Sequence, residues 1–95
     1  MYYNKFDKIL RLILEDSIQK NELRNYLYEN IDCEVIYDLD DTLISDIYFS
    51  LKHYVSGEEN LSSKEIEYFI KCLNGEIKYS IDDKYLFCGW NKVDN

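Results

Sequence analysis

The chain has 95 residues and a formal net charge of −8 at pH 7, with 19 acidic side chains against 11 lysines and arginines. That length builds one domain with a single modest core, and 46 % hydrophobic with 16 % aromatic residues make it a folded domain rather than a disordered acidic tail. Such an excess of acid argues against direct binding to nucleic acid or anionic membranes, whose phosphates repel it, and in favour of a basic protein partner.

Three cysteines, Cys33, Cys72 and Cys88, form no CxxC pair. Met1 leads straight into a charged amphipathic segment without a signal-peptide pattern, so the expected setting is the cytoplasm with reduced thiols. No apolar run is long enough to span a bilayer. A single histidine, His53, leaves little room for a histidine-based metal site.

Tyr3, Phe6, Ile9, Leu10 and Ile13 recur at helical spacing and predict a first helix over about Tyr3–Gln19, with Leu12 and Leu14 widening its apolar face. Its other faces carry Asp7, Lys8, Arg11 and Glu15, and Asp7 and Arg11 stand one turn apart. A break near Lys20–Asn21 precedes a short helix over Glu22–Asn30, facing inward through Leu23, Tyr26 and Leu27, with Asn30 as a left-handed stop. Cys33–Tyr37 (CEVIY) is β-branched and aromatic and reads as a strand or an extended linker.

A long helix is expected over Asp40–Ser56, with Leu43, Ile44, Ile47, Leu51, Tyr54 and Val55 on one face. Acids at its N-terminus complement the macrodipole, and Gly57 suits the stop. Ser62-Ser63-Lys64-Glu65 is a capping box, with Leu61 and Ile66 as the hydrophobic staple. Ile66, Phe69, Ile70 and Leu73 then form a buried face, closed at Gly75. Beyond Gly75 the alternation of Ile77, Tyr79 and Ile81 allows a β-hairpin, while Ser80 allows a short capped helix. The expected fold is mostly α: one bundle of about four helices with a short β-hairpin or irregular C-terminal segment.

The stretch Asn25–Leu51 dominates the charge. In 27 residues it holds Glu29, Asp32, Glu34, Asp38, Asp40, Asp41 and Asp46, with no lysine or arginine, and it threads Tyr26, Tyr28, Tyr37 and Tyr48 among them. A merely solubilising surface interleaves both signs. Seven acids without a base repel one another, and a basic partner would relieve that repulsion. Tyrosines supply rigid contact area at low entropic cost.

Within this stretch, Val35-Ile36-Tyr37-Asp38-Leu39-Asp40-Asp41-Thr42-Leu43 resembles the first motif of the haloacid-dehalogenase-like phosphotransferases, an apolar strand ending in DxDxT. The resemblance would make Asp38 the nucleophile and magnesium ligand, Asp40 the general acid/base and Thr42 a positioning hydroxyl. Each further βαβ unit of that family takes about 30 residues, and two helices use most of the chain that follows, so its sheet cannot be built. The acids do not continue into a calcium-loop pattern, and His53 and the cysteines offer no close ligand pair for zinc. The expectation is a non-enzyme without metal or cofactor.

In size, acidity, thiols and helical layout the whole chain resembles the small acidic immunity proteins that bacteria make against their own nuclease toxins, in the style of colicin D-type and contact-dependent-inhibition immunity proteins. The segment SDIYFSLKHYVSGEENLSSKEIEYFIKCLNGEIKYS carries the helix–Gly–acidic turn–helix layout of that group. The resemblance implies an inhibitor whose acidic face covers the basic cleft of a nuclease. Asp38, Asp40, Asp41 and Asp46 would meet its lysines and arginines, Tyr37 and Tyr48 would pack beside them, and Asp32 and Glu34 would form the rim. An anti-CRISPR or other phage-encoded nucleic-acid mimic would share the same size, charge and aromatic content.

Overall fold

In the computed structural model, which describes residues 2–90, six helices follow one another: α1 Tyr2–Leu14, α2 Lys20–Asn30, α3 Cys33–Leu39, α4 Thr42–Ser56, α5 Ser63–Leu73 and α6 Ile81–Cys88. No strand occurs among the described residues. The fold is a mostly α bundle, with two helices more than the sequence pattern suggested.

The first helix is shorter than its periodicity predicts. Asp16 takes the left-handed conformation (φ 57°), its amide reaches the Ile13 carbonyl, and the Ser17 amide reaches that of Leu12 at 2.8 Å. This pair of bonds is a Schellman closure, which satisfies end carbonyls and turns the chain out of the helix. Phe6, Ile9 and Leu10 are buried as expected, but Tyr3 and Leu14 are both 41 % exposed, so the apolar face does not widen.

Helix α2 begins at Lys20, where the Glu22 carboxylate accepts the Gln19 amide at 3.0 Å. It ends because Ile31 is extended, not because Asn30 is left-handed; the Asn30 side chain donates to the Tyr26 carbonyl instead.

The CEVIY segment is helical, contrary to its β-branched composition. Asp32 caps α3 by accepting the Glu34 amide at 2.9 Å, Glu34 complements the first turn, and Asp40 closes the helix in the left-handed region (φ 51°). Two local caps and the burial of Ile36 outweigh a strand propensity that is weak without a partner strand. Asp41 then caps α4 through the Ile44 amide at 3.1 Å.

Helix α4 is the hub, touching α1, α2, α3 and α5. It buries Leu43, Ile44, Ile47, Tyr48, Leu51 and Val55. Gly57 ends it at φ +82°, a conformation costly for any residue with a Cβ. On α5, Ser62 forms its half of the capping box, accepting the Glu65 amide at 3.1 Å. The Glu65 carboxylate turns inward instead of completing the box, and only 6 % of the residue is exposed.

The C-terminal segment resolves to helix. Ser80 caps α6 by accepting the Asp83 amide at 3.2 Å, and Tyr68 holds the cap in place, donating to the Ser80 carbonyl at 3.0 Å and accepting its amide at 2.9 Å. Helix α6 lies against α5.

Candidate functional site

The seven acids of the Asn25–Leu51 stretch separate into three groups. Asp32 and Asp41 are helix caps, and Asp41 also accepts the Tyr3 hydroxyl at 2.8 Å, which raises the Tyr3 pKa. Asp46 turns inward. Glu29, Glu34, Asp38 and Asp40 are exposed and, among the described residues, none of them forms an ion pair.

On α3, Glu34 and Asp38 lie one turn apart on the side away from buried Ile36, with Val35 and Leu39 on one flank of them and Tyr37 on the other. Val35, Tyr37 and Leu39 are 38 %, 63 % and 46 % exposed. Tyr37 is nonetheless braced: its ring lies 5.8 Å from that of Phe49 on α4, and Phe49 meets Tyr48 edge-on at 5.3 Å. An aromatic held in place yet uncovered gives contact area at little entropic cost. Glu34, Tyr37 and Asp38 thus lie at i, i+3 and i+4 on the exposed side of α3, Asp32 and Asp40 are exposed at its two ends, and Asp41 is half-buried just beyond.

Two residues expected on that face are elsewhere. Tyr48 is 4 % exposed and belongs to the core. Its hydroxyl is pushed up to about 12 by burial and by the neighbouring Cys33 thiol. Asp46 is drawn into a charge network because its position on α4 faces α5 and α6, where Lys84 waits for a counter-charge.

Lys84 is the centre of this network and only 4 % exposed. Its Nζ donates to Asp46 Oδ2 at 2.9 Å and to Glu65 Oε2 at 3.0 Å. The Tyr79 hydroxyl donates to Asp46 Oδ2 at 2.7 Å, and the Ser50 hydroxyl lies within reach of both carboxylates. The ammonium also sits 5.0 Å from the Phe69 ring centroid and 5.6 Å from that of Trp90. Burial alone would lower the Lys84 pKa, but the bonds to Asp46 and Glu65 outweigh it and the net shift is upward. Burial and the bond to Asp46 likewise raise the Tyr79 hydroxyl far above its ordinary value.

The network ties α4, α5 and the connection before α6 to α6 itself. Lys84 is the one buried residue of helix α6, and it attaches that helix to the bundle together with half-buried Phe87, whose ring lies 5.6 Å from that of Tyr68 on α5. Sequence reasoning missed this role. Lys84 reads as a solvated lysine, and only its alignment with Ile81 and Cys88 on one face of a capped helix marks it out.

Asp38, Asp40 and Thr42 do not form a phosphotransferase loop. The segment leading to Asp38 is helical rather than a strand, Asp40 is a helix C-cap and Thr42 opens α4. Among the described residues, no group of three His, Cys, Asp or Glu side chains is placed to hold a metal ion, and no helix is long and apolar enough to cross a membrane. Comparison with protein-family models, with curated proteins and with solved structures returned no match.

Proposed function

We propose that this chain is a protein inhibitor of the immunity type, which presents the acidic α3 face to the basic active-site cleft of a nuclease toxin in the cytoplasm. The observation that carries the reading is the pairing of uncompensated acids with a braced, exposed tyrosine. Among the described residues Glu34, Asp38 and Asp40 form no ion pair, and Tyr37 stands exposed one turn from Glu34 and beside Asp38. Acids in this setting steer a basic partner into encounter, and close charge pairs across an interface couple by about 1.5–7 kcal/mol. Tyr37 supplies an aromatic anchor beside Glu34 and Asp38, and Val35 and Leu39 add exposed apolar surface on the other flank of the helix. Inhibition is steric and electrostatic, with carboxylates standing where the nuclease binds phosphates.

The test is affinity capture from a lysate of the source organism, comparing the wild-type chain with the E34Q/D38N/D40N variant at low and high salt. Retention of a basic nuclease by the wild type, weakened by salt and by the variant, supports the reading. A retained partner indifferent to both refutes it. An anti-CRISPR role would appear in the same experiment as retention of an RNA-guided nuclease in place of a toxin.

A further inference from the structure

A second feature lies between α2 and α4, apart from the exposed side of α3. Arg24, Leu27 and Tyr28 of α2 and its C-cap Ile31 line one side, and Tyr48, Lys52 and Val55, at one-turn spacing on α4, line the other. The helices run antiparallel, with Arg24 reaching the Val55 carbonyl at 3.5 Å and Tyr28 facing Lys52. Between these two faces is a pocket of about 130 Å³. Its floor is apolar (Leu27, Ile31, Val55), and its rim carries two cations, Arg24 and Lys52.

The volume and the rim constrain the occupant. An engineered cavity of about 150 Å³ in another protein holds benzene, so this space accommodates one aromatic ring or a short branched aliphatic group. Neither Arg24 nor Lys52 forms an ion pair among the described residues, although the chain has eight negative charges in surplus. Lys52 is held over the pocket by the faces of Tyr28 and Tyr48, with its Nζ 5.8 and 5.7 Å from the two ring centroids. A cation fixed by two rings keeps its remaining hydrogen-bond donors for a ligand. Arg24 adds a planar fork suited to a carboxylate. On the other side of Tyr28 and Lys52 the surface is bounded by Glu29 and Asp32, which repel an anion and leave the Arg24 side as its place.

We propose that the α2–α4 pocket binds a small aromatic or branched aliphatic carboxylate, with the apolar group among Leu27, Ile31 and Val55 and the carboxylate between Arg24 and Lys52. The ligand is either a free acid or the C-terminal residue of a peptide, which present the same chemistry. The pocket is independent of the inhibitor reading, since it uses none of Glu34, Tyr37, Asp38 and Asp40.

The experiment is titration of the isotopically labelled full chain, followed by amide and methyl NMR, with phenylacetate, phenylacetamide, the tripeptide Gly-Gly-Phe and its C-terminal amide. The expected result is saturable shifts of Leu27, Ile31 and Val55 with one or both carboxylates. Each neutral amide should bind at least about tenfold more weakly, which is the worth of one charge-assisted contact. Tighter binding of phenylacetate assigns the pocket to free acids, and tighter binding of the tripeptide assigns it to a chain terminus. K52M and R24Q should each weaken the carboxylate towards its amide while the unliganded spectrum keeps its dispersion. Absence of saturable shifts, or equal binding of acid and amide, overturns the proposal.

Discussion

Replacing Lys84 with methionine removes the one ammonium from between two carboxylates while keeping most of its volume. Glu65 and Asp46 side chains are 8 % and 19 % exposed, and both point at the space Nζ occupies. Breaking a buried ion pair by deleting one partner costs about 3–5 kcal/mol, because the remaining charge is left desolvated. Asp46 keeps its bond from Tyr79 and some contact with water, which places the expected loss near the lower figure, about 3 kcal/mol. For a domain of this size that is a fall in Tm of roughly 12–24 °C. Urea unfolding followed by far-UV circular dichroism measures it. The double variant K84M/E65M removes both members of the more buried pair, and replacing such a pair with apolar residues is often neutral or better. It should therefore be more stable than K84M alone by at least about 1 kcal/mol. A loss below about 1 kcal/mol in K84M, or simple additivity of K84M and E65M, would refute the view that Lys84 clasps the bundle.

Three further outcomes are expected. Stability should fall on raising the pH from about 10 to 12. The folded Tyr48 hydroxyl titrates near 12 and not at its ordinary value of 10, so the folded chain keeps a proton that the unfolded chain loses. This contribution is complete below pH 10 and disappears as the pH climbs through the folded value. Tyr3, Tyr68, Tyr79 and Lys84 are shifted the same way, and urea midpoints that stay flat across this range would contradict the assignment. Y79F removes the donor 2.7 Å from Asp46 and should cost about 1.5–3 kcal/mol, the range for a hydrogen bond to a charged group, read from the same urea curves. S80A removes the α6 cap and should cost about 1 kcal/mol, with faster amide exchange at Asp83 and Lys84 as its local sign.

Helices with strong local signals were legible from the sequence. Ser62, Glu65, the Ile66–Leu73 periodicity and Gly75 together delimit α5, and Gly57 marks the end of α4. In each case the information lies within a few residues. Helix α3 was misread because Val35, Ile36 and Tyr37 favour strands, and the deciding caps, Asp32 and Asp40, read equally well as surface acids. The acidic stretch was visible as composition, but not its division into caps, free charges and a buried member. That division depends on what each helix face meets. Asp46 and Lys84 lie 38 residues apart, and no local pattern links them. Glu65 shows the same limit within a motif that was recognised. Its spacing from Ser62 fits a capping box, yet a buried ammonium is a stronger partner for its carboxylate than one terminal amide.

The acidic face is tested most directly by the salt dependence of Kd for the captured basic partner, measured for the wild-type chain, for E34Q/D38N/D40N and for Y37A. The account predicts that the triple variant weakens binding at least about tenfold at low salt and flattens the dependence on salt. Y37A should weaken binding by a similar factor with the salt slope unchanged, as expected for an apolar anchor. If the triple variant binds as tightly as the wild type, with the same salt slope, the α3 face is not the contact surface and the inhibitor mechanism proposed for it is wrong.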